Sequence, residues 1–396
     1  MPTSEPLPRG KVLSQLSQDD PLPRGPWARL ESDHAIVGEG SRRLFTFDLE
    51  GRLLEAFVDG VGYRRGLDNR FLERRRLPGA PGLSRRLRRH LSAAEARDVV
   101  DLACRTAARA REGGYPAVPA LDFDALEDDA RRFAAVYRPI GILPPDQYLS
   151  IVVQLTSGCW YNRCTFCTFY RDRRFEVRSP EALRRHIQEV KAFFGAGLLR
   201  RHTVFLGDAN ALVLPAARLV DALAAVREAL EGREVFGFLD AFSGRRKQAP
   251  QWAELGEAGL RRVYVGAESG SDGVLRFLDK PGTAADVLAT VRAMKEGGLG
   301  VGLILLLGAG GRAFAQEHVR QSIALVNAAG LGRGDQLLLS PLVVPPQAPY
   351  AFVAAQAGIE PLGPAEVRQQ AEAILSGVRL GRGARWSYYF VEEFLY

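Results

Sequence analysis

The second half of the chain alternates continuous apolar runs with stretches that place apolar residues at helical spacing. Strands that are apolar along their whole length are typical of parallel sheets with helices on both faces. Six such units over residues 146–345 are fewer than the eight of a complete barrel, so the pattern predicts an α/β fold with a partial (β/α)6 barrel. The predicted strands are YLSIVVQLTSG, HTVFLGDAN, EVFGFLDAFSG, RRVYVGAESGS, GVGLILLLGAGG and DQLLLSPLVVP.

The region before the predicted barrel has a different pattern of apolar residues. Short apolar runs between Gly-containing turns (AIVG, RLFTFDL and RLLEAFVDG) predict a β-meander or hairpin pair within residues 31–73. The stretch LSAAEARDVVDLACRTAARAREGG predicts an amphipathic helix with Ser92 as its N-cap. Cys104 lies on the apolar stripe of this helix, where a packing role is favoured over a ligand role. We expect residues 29–145 to form this meander and helical region.

The two ends of the chain differ from its interior. Residues 1–28 repeat PLPRG among Ser, Gln, Asp and Pro, a composition that predicts a flexible leader. Residues 346–396 are expected to form a helical segment and an aromatic tail, RWSYYFVEEFLY. We expect this tail to dock as a final strand or barrel plug, with substrate gating as the alternative. Glu392 and Glu393 of the tail are expected to face either water or the cavity.

Composition and charge weigh against two classes of protein. The formal charge of +7 suggests a nucleic-acid partner, but the arginine-rich stretch at residues 64–89 has no alternating aromatic side chains. A solvated face is therefore favoured over a nucleic-acid groove. No apolar run reaches the length of a membrane span, and MPTSEPLPRG lacks the pattern of an export signal. A cytoplasmic protein is the expectation.

The candidate chemistry is concentrated in TSGCWYNRCTFCTFY, directly after the first barrel strand. This stretch holds three of the four cysteines within nine residues, as Cys159, Cys164 and Cys167 in a C-x4-C-x2-C loop. The loop is too compact for paired disulfides and one thiolate short of a closed four-cysteine site. Three thiolates on a four-iron cluster would leave one iron open. A zinc site of three cysteines and one histidine in a nucleic-acid-binding protein is the alternative.

This cysteine loop at the end of the first strand of a partial barrel resembles the radical S-adenosylmethionine (SAM) superfamily. The usual motif of that family is C-x3-C-x2-C, so the loop here is one residue longer. The resemblance implies that Cys159, Cys164 and Cys167 hold a 4Fe-4S cluster, that the amine and carboxylate of SAM bind the open iron, and that the backbone of Phe166 lies near the adenine. The segment VGAESGSDGVL is similar to the one found in the branch of the family that includes the methylthiotransferases and the oxygen-independent coproporphyrinogen oxidases.

The later strand ends also resemble this family. GDAN stands where the family has a Gly-Gly-Glu-like turn that binds the SAM amino group, and Asp208 is the candidate acceptor. The turn after the fourth strand implies ribose contacts, and the last two strands imply the adenine pocket. Each segment has a structural alternative: a simple turn, a helix N-cap or a flexible corner. The candidate SAM-binding residues are Phe166, Gly207, Asp208, Ala209, Asn210, Glu268, Ser269, Gly302, Ile304, Gly308 and Leu342.

The function implied by the resemblance is reductive cleavage of SAM to a 5'-deoxyadenosyl radical that abstracts hydrogen from a substrate which the sequence does not identify. An external electron donor of ferredoxin or flavodoxin type is implied as well. A cluster protein that delivers a cofactor or acts as a chaperone is the alternative. Because Cys104 is the only further thiol, an auxiliary cluster on the chain's own cysteines is disfavoured. Cobalamin is disfavoured too, since Asp33 and His34 in SDHAIVGEG are adjacent instead of one residue apart.

The remaining histidines carry no prediction of a site. We expect His186 and His202, in and just after the first barrel helix, to lie at the surface. His318 is expected to be a polar residue of a later helix.

Overall fold

The computed structural model describes residues 23, 25–79 and 82–396. Most of the predicted leader, residues 1–22, lies outside the described residues. The final part of that segment is not a leader, because the first strand already begins at Pro26. The reason is Trp27, which is 4% exposed and packs its ring on Gly38 of the neighbouring strand.

The N-terminal part is a seven-stranded antiparallel sheet in which each strand pairs with the next one along the chain. The meander predicted for this part is confirmed, and it is longer than predicted. The arginine-rich segments FLERRR and RLRRH form its last two strands, which an apolar pattern alone does not reveal. The strands are β1 (Pro26–Leu30), β2 (Ala35–Glu39), β3 (Arg43–Phe47), β4 (Leu53–Val58), β5 (Val61–Arg65), β6 (Phe71–Arg76) and β7 (Arg86–His90).

Two helices, α1 (Ala93–Glu112) and α2 (Phe123–Val136), pack against this sheet through their apolar faces. Ser92 is the N-cap of α1, and its hydroxyl and the Glu95 carboxylate form a reciprocal capping box. Cys104 is half-buried in this core, and burial raises the pKa of its thiol to about 11. Cys104 is therefore a packing residue of the N-terminal part.

Most arginines of the 64–89 stretch have carboxylate partners. Arg75 and Arg89 flank Glu73, at 3.0 and 2.6 Å, and Arg88 pairs with Glu393 of the tail. A face whose cations are matched by its own carboxylates has little charge left over for a phosphate backbone. No helix among the described residues is long and apolar enough to cross a membrane.

The rest of the chain forms a parallel sheet of seven strands with helices between them, which confirms the predicted α/β architecture. Its main strands are β8 (Ile151–Gln154), β11 (Thr203–Gly207), β12 (Glu234–Asp240), β13 (Leu260–Glu268), β14 (Gly300–Leu307), β15 (Gln336–Pro341) and β16 (Arg385–Tyr388). They lie side by side in that order. A two-stranded ladder follows β8 and consists of β9 (Thr156–Ser157) and β10 (Glu176–Val177).

The helices fill the connections between these strands, and their apolar faces cover the sheet. They are α3 (Pro180–Phe194), α4 (Ala216–Ala229), α5 (Ala241–Gly244), α6 (Ala249–Glu257), α7 (Asp272–Phe277), α8 (Ala284–Glu296), α9 (Gly311–Ala329), α10 (Tyr350–Gln356) and α11 (Pro364–Gly377).

The seventh strand, β16, belongs to the aromatic tail and pairs in parallel with β15. The tail docks as a final strand, as expected, and its last residues then return to the first strand of the sheet. The Tyr396 hydroxyl donates to the Ser150 carbonyl (3.0 Å) and accepts from the Val152 N–H (2.9 Å). The Tyr389 hydroxyl donates to the Leu143 carbonyl at 2.8 Å. The tail therefore bridges the two edges of the open sheet.

One histidine is placed differently from the expectation. His186 of α3 is 1% exposed, and its Nε2 accepts the Gln154 N–H at 3.1 Å. The prediction of a surface position was wrong, because His186 shares the buried helix face with Leu183 and Ile187. Burial lowers the pKa of His186 to about 3. His202 is exposed, as expected.

Candidate active site

A cavity of about 320 Å³ lies at the carboxyl ends of the parallel strands. Its wall is mostly apolar and aromatic, and it combines the cysteine loop, five strand ends and the C-terminal tail. A mainly apolar cavity with a few polar groups is the usual form of a small-molecule site. Its principal lining residues are Cys159, Trp160, Tyr161, Cys164, Phe166, Cys167, Phe169, Tyr170, Asn210, Asp240, Glu268, Lys280, Ile304, Leu342, Tyr389 and Glu392.

The cysteine loop begins and ends at the β9–β10 ladder, which holds its two ends side by side. Gly158 starts the loop with φ +76°, and a Cβ there would lie 2.6 Å from the Arg174 carbonyl oxygen. Only glycine avoids this clash in that conformation. Farther along, the Arg171 guanidinium donates to the carbonyls of Cys164 (3.0 Å) and Cys167 (2.9 Å). The loop conformation is thus fixed by the backbone and by Arg171.

The three thiols of the loop all line the cavity and are free. Burial raises the pKa of Cys164 to about 12 and also raises that of Cys167. A buried thiolate needs a cation or a metal to stabilise it. Among the described residues, no three Cys, His, Asp or Glu side chains lie close enough to hold a single metal ion. A four-iron cluster does not require such convergence, because each thiolate binds a different iron.

No histidine lines the described cavity. His186 lies under β8, and His318 is buried with its Nδ1 2.8 Å from the Ser269 hydroxyl. His34 and His202 both lie near Asp33, and His90 is the last residue of β7. The three-cysteine, one-histidine zinc site therefore has no histidine at the thiols, whereas three thiols on one wall of a largely apolar cavity fit a cluster.

A buried ion pair lies beside the cysteines. The Lys280 ammonium donates to Glu268 at 2.8 Å, and their side chains are 13% and 9% exposed. Burial alone would lower the pKa of Lys280, but the charge of Glu268 outweighs it and raises that pKa well above its usual value. Lys280 is therefore a permanent cation next to the thiols. The sequence analysis missed it, although it is one of only five lysines among 53 basic residues.

A second anchor of the loop is Asp240 at the end of β12. It accepts the Trp160 Nε1–H at 2.8 Å and a short hydrogen bond from the Asn210 amide. Its other oxygen accepts the Ser243 N–H at 2.7 Å and caps α5. Asp240 therefore ties the loop to the sheet. Sequence reasoning missed it as well, although it ends its strand as Glu268 ends β13.

Asp208 is buried just after β11, and its carboxylate is bound by the protein itself. It accepts from the Gln154 amide (2.8 Å), the Gly158 N–H (3.2 Å) and the Arg173 guanidinium (3.3 Å). Because Gly158 and Arg173 stand near the two ends of the cysteine loop, Asp208 holds the loop to the sheet. Neither Asp208 nor Gly207 borders the cavity, whereas the next two residues, Ala209 and Asn210, do.

The other predicted SAM contacts fall into two groups. Phe166, Glu268, Ile304 and Leu342 line the cavity. The remaining three do not: Gly302 packs on the Tyr264 ring, Ser269 bonds His318, and the Gly308 N–H donates to Gln370.

Backbone strain concentrates around this cavity. Five non-glycine residues of the described part of the chain have positive φ. Three of them, Asn162 (52°), Glu268 (57°) and Asp279 (47°), lie in or next to its wall. The other two, Asp59 and Asn69, are in turns of the meander, where such residues are common. Residues held in sparsely populated backbone conformations cluster at functional sites.

Comparisons with known proteins identify one family. Residues 153–321 match the family model described as the radical SAM superfamily. No curated protein matches the chain. Three solved structures are similar to part of the chain. Methylornithine synthase is 15% identical, with 59% of this chain and 71% of that chain covered and a TM-score of 0.38.

The radical SAM methyltransferase TsrM from Kitasatospora setae, with cobalamin and a 4Fe-4S cluster bound, is 19% identical, with 59% and 50% covered and a TM-score of 0.42. Coproporphyrinogen III oxidase from Escherichia coli, a radical SAM enzyme, is 18% identical, with 62% and 54% covered and a TM-score of 0.41. The chain thus spans only about half the length of these two proteins.

Proposed function

Because residues 153–321 belong to the radical SAM superfamily, we propose that the protein is an enzyme that binds a 4Fe-4S cluster and SAM in the carboxyl-end cavity. Cys159, Cys164 and Cys167 would hold the cluster. The observation that carries the proposal is that these three free thiols share one largely apolar cavity with the strand-end residues. The cluster, when bound, supplies the electron for reductive cleavage of SAM to a 5'-deoxyadenosyl radical that abstracts hydrogen from the substrate.

The chain's own residues provide the environment for this chemistry. The aromatic wall formed by Trp160, Tyr161 and Phe166 would shield a bound cluster from water, which matters because solvent exposure shifts a cluster's potential. Lys280 adds a fixed positive charge beside them. Asp208 and Asp240 hold the loop against two strand ends. These residues position the loop and need not touch the reacting atoms.

SAM would lie across the strand ends that border the cavity. Phe166, Ile304 and Leu342 form the apolar side that suits the adenine, and Ala209 and Asn210 lie where its polar groups would be. Glu268 is already paired with Lys280, so a ribose hydroxyl would share that carboxylate. An external one-electron donor of ferredoxin or flavodoxin type would reduce the cluster. The substrate is unassigned.

The test is the formation of 5'-deoxyadenosine by anaerobically reconstituted protein given dithionite and SAM. Wild type and Cys104→Ala should form it, whereas Cys164→Ala should not. Cys104→Ala is the matched control, since Cys104 is a half-buried cysteine of the N-terminal part. Protein that carries a full cluster yet forms no 5'-deoxyadenosine would refute the enzymatic proposal and favour cofactor delivery or a chaperone role.

A further inference from the structure

A second cavity, of about 280 Å³, lies at the opposite end of the parallel sheet from the cysteine loop. The N-terminal meander forms one wall, and the segments that lead into β8 and β11 form the other. The charged side chains that line it are Arg64, Arg65, Arg200, Arg201, Glu55 and Asp146. Four arginines thus line a cavity with only two carboxylate side chains.

Both carboxylates already have cationic or hydrogen-bonding partners from outside the cavity wall. Asp146 accepts from Arg262 at 2.9 Å and from the Tyr264 hydroxyl at 2.6 Å. Glu55 lies 3.8 Å from Arg74. Neither carboxylate forms its ion pair with one of the four arginines of the cavity.

Two of the four arginines have protein partners of their own. Arg200 pairs with Asp33 at 2.9 Å. Arg65 donates to Asn69 at 2.7 Å and lies 3.9 Å from Asp129. Their positive charge is at least partly balanced within the protein.

The other two, Arg64 and Arg201, have no carboxylate within ion-pair distance among the described residues. Arg64 lies over the Tyr148 ring, with its guanidinium carbon 4.5 Å from the ring centroid. Arg201 is 6% exposed and stands between the rings of Phe194 (4.4 Å) and Tyr396 (4.9 Å). The only hydrogen-bond partner of its side chain among the described residues is the Ser150 carbonyl, at 3.0 Å. Stacking holds both guanidiniums in place, and both residues line the cavity.

Two like charges at low exposure are unfavourable unless an anion joins them. Burial lowers the pKa of Arg64. The charge of Glu55, its cross-strand neighbour on β4, opposes this shift, and the charges of Arg74 and Arg201 add to it. A guanidinium fork matches phosphate oxygens with two parallel hydrogen bonds. Two unmatched arginines balance the double negative charge of a phosphate monoester. The cavity is also larger than one phosphate, which leaves room for an organic group against Tyr148.

We propose that this cavity binds a small phosphate monoester, with its phosphate between Arg64 and Arg201 and its organic part against Tyr148. The walls come from the meander, the sheet and the tail, since Leu395 and Tyr396 also border the cavity. A bound ligand therefore links three separate parts of the chain and stabilises the folded protein against unfolding.

The experiment uses the full chain and two probes, inorganic phosphate and phenyl phosphate, with acetate at matched ionic strength for comparison. Binding is measured by titration calorimetry and by the rise in the unfolding temperature. Arg64→Gln is the test variant. Arg76→Gln is the matched control, because Arg76 is an exposed arginine of the same sheet with no side-chain partner among the described residues.

We expect wild type and Arg76→Gln to bind both phosphates, phenyl phosphate more tightly, and Arg64→Gln to bind them at least tenfold more weakly. Arg64→Lys keeps the charge and loses the fork; it replaces Arg64→Gln if that variant does not fold, and should also weaken binding. Equal binding by wild type and the Arg64 variants, no binding by wild type, or an equal response to acetate would each overturn the proposal. None of these results bears on 5'-deoxyadenosine formation.

Discussion

The two cavities lie at opposite ends of one parallel sheet and differ in almost every side chain. The carboxyl-end cavity has aromatic walls, three thiols and one closed ion pair. The amino-end cavity has four arginines and no cysteine. In a parallel barrel all strands point the same way, so the loops that leave their carboxyl ends converge on one mouth. The opposite end is free to receive another part of the chain, here the meander.

The aromatic tail connects these two cavities. Tyr389 and Glu392 border the carboxyl-end cavity, and Leu395 and Tyr396 border the amino-end cavity. Glu393, between them, pairs with Arg88 of the meander. The segment 389–396 therefore contributes residues to the walls of both cavities.

The largest expected difference between the two cavities is the cost of removing one cation. Lys280→Ala leaves the Glu268 carboxylate buried without its partner, which should lower the free energy of unfolding by about 3–5 kcal/mol. Arg64→Gln relieves repulsion instead, and should change that free energy by less than about 1 kcal/mol in phosphate-free buffer. Urea unfolding measures both values. Lys191→Ala, at a helical lysine with no ion pair among the described residues, is the control.

A similar loss of stability in the Lys280 and Lys191 variants would mean that the Glu268–Lys280 pair is not buried as described. A large loss in Arg64→Gln would mean that the arginine cavity is already neutralised within the protein.

A smaller effect is expected at the end of the tail. Tyr396→Phe removes the hydroxyl that binds Ser150 and Val152, and leaves the Val152 N–H buried without that acceptor. The free energy of unfolding should fall by about 1–3 kcal/mol. Tyr388→Phe is the control, because the Tyr388 hydroxyl has no hydrogen-bond partner among the described residues. If both variants unfold at the same urea concentration, the tail does not close the sheet.

The last expected effect is a dependence of the free energy of unfolding on pH, caused by His186. This residue lies under β8. The unfolded chain binds a proton there below about pH 6.5, whereas the folded protein does so only near pH 3. The contribution of His186 is therefore fully present above pH 6.5, and it decreases by about 1.4 kcal/mol per unit as the pH falls through this window. Urea unfolding at pH 5, 6 and 7 should show a shallower slope for His186→Gln. An unchanged slope would contradict the assignment.

Local patterns in the sequence predicted much of this molecule. The cysteine loop, the six apolar strands and the Ser92 cap are each contained in a short stretch, so spacing alone identifies them. Strands β6 and β7 were not predicted, because their arginines mask the strand pattern, although each strand pairs regularly with its neighbour. Strand character there comes from pairing with other strands, which local composition does not report.

Contacts between distant residues could not be predicted in the same way. Trp160 and Asp240 are 80 positions apart and meet only because β12 ends beside the cysteine loop. The expectation that His186 lies at the surface was wrong, because the face of α3 that carries His186 packs against β8. Lys280 can be buried because it pairs with Glu268. The left-handed backbone conformation of Glu268 could not be predicted from the sequence, because glutamate rarely adopts it.

The most direct test of the central claim, that the three cysteines of the carboxyl-end cavity hold a cluster with an iron open to SAM, is electron paramagnetic resonance of the dithionite-reduced protein with and without SAM. We predict a cluster signal in wild type and in Cys104→Ala that changes when SAM is added, and a loss of that signal or of its response to SAM in Cys164→Ala. A cluster signal that SAM leaves unchanged in the wild-type protein would contradict the account.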